Sequence, residues 1–60
     1  MTDQDIINQA YQSTLNNLFA VFFDAYAMAT TPADKTLAEQ RFQNGVKFAR
    51  FAKDKAIELL

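Results

Sequence analysis

The fold is decided by residues 11–29, which read YQSTLNNLFAVFFDAYAMA, and by residues 38–59, which read AEQRFQNGVKFARFAKDKAIEL. In each stretch, apolar or small residues recur at alternating steps of four and three. They are Tyr11, Leu15, Leu18, Phe22, Ala25 and Ala29 in the first stretch, and Ala38, Phe42, Gly45, Ala49, Ala52, Ala56 and Leu59 in the second. This heptad spacing keeps one stripe of a helix turned toward a partner helix. The sequence therefore predicts two packed α-helices.

Two threonines mark where these helices start. Thr2 is followed three residues later by Asp5, and Thr31 is followed by Asp34, a pattern typical of the capping box at a helix N-terminus. Pro32 comes directly after Thr31, at the first helical position, where its missing N–H costs nothing. Because proline also disfavours helical geometry in the residue before it, the first helix must end before Thr31.

The predicted fold is all-α: an antiparallel hairpin with helices over about residues 3–29 and 32–59, in one domain covering residues 1–60. A connection of only two or three residues forces the helices to run antiparallel. In the resulting register Leu18 lies opposite Gly45. Since glycine in a helix interior costs about 1 kcal/mol relative to alanine, we expect the two backbones to approach closely there.

The charges are divided unevenly between the two helices. The first helix carries three aspartates and no basic residue, whereas all six basic residues of the chain lie between Lys35 and Lys55. An acidic helix and a mildly basic helix attract each other weakly in a hairpin. The same register predicts a cross-helix ion pair between Asp24 and Arg41, with a contribution of at most ~1 kcal/mol if it is solvated.

More apolar residues are present than the two contact stripes can use. A 60-residue chain without cysteine or histidine has neither disulfides nor a zinc-thiolate site to stabilise a small core, so self-association is the remaining means. We expect a homodimer of hairpins, a four-helix bundle of coiled-coil type. Aromatic residues outside the stripes are the predicted self-association interface: Phe19, Phe23, Tyr26, Phe48 and Phe51.

Catalysis, metal binding and cofactor binding are not expected. Without histidine and cysteine, Ser13 has no base to activate it, and Gly45 stands alone rather than in a phosphate-binding loop. Asp54 and Glu58 share a helix face, but it is the polar face, so they are interpreted as solvated charges. We therefore expect no enzyme activity, no cofactor and no metal site.

The predicted function is a non-catalytic protein–protein interaction module, serving as an adaptor, a regulator or an assembly component. The alternative is a nucleic-acid-binding regulator that uses a basic strip on the second helix, formed by Lys47, Arg50 and Lys53. Asp54 interrupts that strip and the net charge is −1, so nucleic acid is the less favoured partner. The aromatic residues could also line a cavity for an apolar ligand, although aromatics at helical spacing more often form plain core.

Membrane insertion and export are not expected either. The most apolar stretch, residues 18–29, is too short to cross a bilayer and contains Asp24. No segment has the basic flank and apolar run of a signal peptide. We therefore expect a cytoplasmic protein without a membrane partner.

Overall fold

The computed structural model describes all 60 residues and consists of two α-helices packed against each other, α1 (Asp3–Met28) and α2 (Pro32–Glu58). The all-helical fold and the antiparallel pairing are confirmed. Each helix ends one residue earlier than predicted, because Ala29 adopts an extended backbone with φ −68° and ψ 129° and Leu59 forms the C-cap of α2.

The two helices start on the predicted threonines. The Thr2 hydroxyl accepts a hydrogen bond from the Asp5 N–H at 3.1 Å, and the Asp5 carboxylate accepts one from the Thr2 N–H at 3.2 Å, which completes a capping box. The Thr31 hydroxyl accepts from the Asp34 N–H at 3.1 Å, but the Asp34 carboxylate makes no bond in return. Helix α2 thus has half of the predicted box, with Asp34 still favourably placed near the positive end of the helix dipole.

The register of the hairpin places Leu18 opposite Gly45, as predicted. A Cβ atom added to Gly45 would lie only 2.7 Å from Leu18 Cδ2, so the glycine is what permits the close approach of the helices. Nearer the turn, the rings of Phe22 and Phe42 pack with their centroids 4.8 Å apart. Ala38 is the one buried residue of the chain, with 6% of its surface exposed.

The hairpin is a flat plate, one helix thick. Its Cα atoms occupy 45 × 17 × 6 Å, so each helix has a neighbour on one side only. The predicted contact stripe is largely half-buried, but Ala25, Ala52 and Leu59 are exposed, while Lys53 and Ile57 are half-buried instead. The contact surface of α2 is therefore rotated slightly away from the ideal heptad stripe.

The predicted ion pair between Asp24 and Arg41 is not formed. Asp24 follows Leu18 by six residues, which at about 100° per residue places it about 120° around α1 from Leu18. Asp24 therefore lies on the outer side of the helix. Two ion pairs do form, both within α2: Lys53–Asp54 at 3.7 Å and Lys55–Glu58 at 3.5 Å. Neither Asp24 nor Arg41 has a charged partner within the chain.

Candidate functional site

One broad face of the plate carries a continuous series of shallow apolar grooves between the helices. We call it the groove face and define it by the residues that line these grooves away from the helix contact: Ala10, Thr14, Val21, Ala25 and Met28 from α1, and Leu37, Arg41, Phe48 and Ala52 from α2. The largest groove, about 470 Å³, occupies the half of the hairpin away from the turn. It joins the next groove at Leu18, so the apolar surface runs along most of the plate.

The large groove exists because small residues line it on both sides. Ala10 and Thr14 from α1 face Ala52 from α2, and none of these side chains is long enough to fill the space between the helices. The Thr14 hydroxyl donates a hydrogen bond to the Ala10 carbonyl at 3.0 Å, so it needs no further partner. Phe48 also lines the groove and is 74% exposed. The result is an apolar recess with a large aromatic side chain beside it.

The opposite face of the plate carries three aromatic residues of α1, Phe19, Phe23 and Tyr26, which we call the aromatic face. Phe19 and Phe23 have ring centroids 6.4 Å apart, and Tyr26 packs on Phe22 at 5.3 Å. The Lys35 ammonium lies 5.5 Å from the centroid of the Tyr26 ring. Because Phe19 and Tyr26 are displaced around α1 in the opposite sense from Val21 and Ala25, they cannot lie on the groove face.

The five residues predicted for self-association are therefore divided between the two faces. Phe48 and Phe51 lie on the groove side, and the other three form the aromatic face. All five are exposed, from 39% for Tyr26 to 74% for Phe48. A single flat contact cannot cover both faces of the plate, so the structure does not bring the five together; self-association itself stays a prediction.

Sequence reasoning missed the groove-face residues Val21 and Met28, and the two small residues of α1 that line the recess, Ala10 and Thr14. The helical spacing assigns these residues to a face only once the packing of Leu18 against Gly45 is known. Val21 follows Leu18 by three residues and Phe48 follows Gly45 by three residues, so both are displaced around their helices by the same angle and in the same sense. In an antiparallel hairpin, residues displaced in the same sense lie on the same face. With that packing known, the angular comparison separates Phe48 from Phe19.

The structure does not leave all three residues of the predicted basic strip exposed. The Lys53 side chain is only 26% exposed, and its ammonium lies 4.8 Å from the centroid of the Tyr11 ring and 3.7 Å from an Asp54 carboxylate oxygen. Lys47 and Arg50 remain exposed and have no ion-pair partner. Nucleic-acid binding by the three residues stays a prediction, and one of the three cations already packs within the hairpin.

Lys53 is expected to stabilise the hairpin rather than serve an external ligand. Replacing Lys53 with alanine removes the cation–π contact with Tyr11 and the packing of the lysine methylenes, and should lower the free energy of unfolding by about 1 kcal/mol. Lys47→Ala is the matched control, since Lys47 is exposed, and should change it by less than about 0.5 kcal/mol. Urea unfolding followed by circular dichroism measures both. Equal midpoints for the two variants would contradict a structural role for Lys53.

The hairpin has neither a cluster of metal-ligating side chains nor a helix that could span a membrane. No three His, Cys, Asp or Glu side chains are grouped so that they could hold a metal ion. Neither helix combines the length and the apolar character needed to cross a membrane. No protein-family model, curated protein or solved structure matches the chain. The groove face and the aromatic face are the candidate functional surfaces.

Proposed function

We propose that this chain is a non-catalytic protein–protein interaction module that works as a self-associated four-helix bundle of two hairpins. The observation that carries the proposal is its exposed area of 4808 Å². A compact monomer of 6.8 kDa exposes about 3,950 Å² by the usual scaling of area with mass, so the excess is about 850 Å². Stable interfaces bury about 800 Å² on each partner, which is close to that excess.

The kind of surface supports the same proposal. One residue of 60 is buried, and twelve large apolar side chains are at least 39% exposed. A plate one helix thick has no second layer against which to bury them, and contiguous apolar surface of this extent is typical of an interaction site. A second hairpin laid on one face supplies that layer and forms a four-helix bundle.

Sedimentation equilibrium over about 1 to 100 µM tests the proposal. We expect twice the 6.8 kDa chain mass at the higher concentrations. Helix content measured by circular dichroism should fall together with the mass on dilution, because a single plate exposes the apolar surface that the dimer covers. A fully helical monomer that persists across the whole range would overturn the proposal.

A further inference from the structure

We infer that the second copy docks on the groove face with its turn at the same end of the bundle, so that α1 of each chain lies against α2 of the other. This inference rests on the proposed function, and adds to it the surface, the orientation and a specific intermolecular ion pair. The distribution of apolar area selects the face. The charges of the two helices select the orientation.

The groove side carries most of the apolar surface that needs covering. Of the twelve exposed large apolar side chains, three form the aromatic face and two are at the chain ends, Met1 and Leu60. The other seven lie on the groove side by their helical positions: Ile6, Val21, Met28, Leu37, Phe48, Phe51 and Leu59. Only this face also has a large recess lined by small residues beside an exposed aromatic ring, the combination that knobs-into-holes packing requires.

Two symmetric ways exist to stack the groove faces. A two-fold axis parallel to the helices places α1 on α2 of the second copy, whereas an axis across the helices places α1 on α1 and α2 on α2. Helix α1 has three aspartates and no basic residue, a net charge of −3; α2 has six basic and four acidic residues, a net charge of +2. Because opposite charges attract and like charges repel across an interface, the parallel axis is favoured.

Asp24 and Arg41 provide a specific contact in that arrangement. Since Leu18 lies opposite Gly45, Asp24 and Arg41 differ in height along the plate by two residues, about 3 Å. Arg41 lines the groove face, Asp24 lies on the outer flank of α1 on the same side, and neither has a charged partner within its own chain. Stacking α1 on α2 brings each Asp24 to the Arg41 of the second copy, twice per dimer.

The same alignment places the Phe48 side chain of each copy against the groove of the other copy. Phe48 lies three residues after Gly45, which is the height of residue 15 on α1. Phe48 of the second copy therefore meets the groove beside Thr14 and Ala10, where the side chains are small. Symmetry repeats the contact, so each chain supplies one knob and one hole.

Mixing two charge-reversal variants of the full chain tests the arrangement. Asp24→Lys alone and Arg41→Glu alone each place like charges together in their own homodimers, whereas the mixed dimer restores two opposite-charge contacts. Native mass spectrometry of an equimolar mixture should show the heterodimer outnumbering the two homodimers together by about tenfold, whereas random pairing makes the two amounts equal. The matched control mixes Glu39→Lys with Lys47→Glu, exposed reversals away from the groove face, and should give the statistical distribution.

The outcomes separate this inference from the proposed function. A wild-type chain that stays a folded monomer overturns both. A wild-type dimer whose Asp24→Lys and Arg41→Glu variants mix statistically, or stay monomeric when mixed, overturns the inference and leaves self-association standing. Enrichment of the heterodimer supports an intermolecular pair, because a contact within one chain is unchanged by mixing.

Discussion

Replacing Phe48 with aspartate is expected to convert the dimer into monomers at concentrations where the wild-type chain is fully dimeric. Burial of a phenylalanine side chain contributes about 2 kcal/mol, and symmetry makes the loss about 4 kcal/mol per dimer, which raises the dissociation constant about 1,000-fold. The aspartate adds the cost of bringing a carboxylate into an apolar recess. Sedimentation equilibrium measures the change directly.

Phe19→Asp is the matched control for Phe48→Asp. Both phenylalanines are exposed within the hairpin, at 57% and 74%, so neither substitution should disrupt the packing of α1 on α2. With the groove face at the interface, Phe19→Asp leaves the dissociation constant within about threefold of the wild-type value. The reverse result, a monomer with Phe19→Asp and a dimer with Phe48→Asp, would place self-association on the aromatic face.

Phe22→Ala is expected to be the most destabilising single truncation within the hairpin. Phe22 is half-buried and packs against two other rings, Phe42 at 4.8 Å and Tyr26 at 5.3 Å. Removing it should cost about 2 kcal/mol, below the range for a fully buried phenylalanine because part of the ring faces solvent. For a chain of this size that loss lowers the melting temperature by roughly 10 °C.

Phe23→Ala controls for the general loss of an aromatic side chain. Phe23 is the next residue along α1, but it is 60% exposed and its nearest ring is that of Phe19, 6.4 Å away on the same helix. Its truncation should shift the melting temperature by no more than roughly 3 °C. Thermal unfolding followed by circular dichroism compares the two variants. Equal shifts would mean that the aromatic face is buried in the assembled protein, against the proposed arrangement.

The proposal of a partner follows from the geometry of the hairpin. Two antiparallel helices bury one stripe of each, and a plate of two helices leaves both broad faces in water. The small residues Gly45 and Ala49 allow a close approach in the hairpin, and together with the exposed Ala52 they leave the recess of about 470 Å³ open. In the proposed dimer, a second layer of helices fills that recess and covers the apolar side chains around it.

Sequence patterns alone determined the two helices, their ends to within one residue, their antiparallel pairing and the register that places Leu18 at the height of Gly45. These features depend on local physics: caps that satisfy free N–H groups, a proline that ends helical geometry before it, and a connection too short for any other topology. Each of these signals involves residues that are close together in the sequence. None of them depends on how one helix is rotated against the other.

Only the tertiary structure decided which face each aromatic residue occupies, that Lys53 packs over Tyr11, and that Asp24 does not pair with Arg41. All three depend on the rotation of each helix about its own axis. A straight helix with 3.6 residues per turn drifts by about 20° per heptad from the 3.5-residue repeat of the contact stripe, so spacing alone leaves that rotation undetermined. The packing of Leu18 against Gly45 sets it, because the helices can approach so closely only in that orientation.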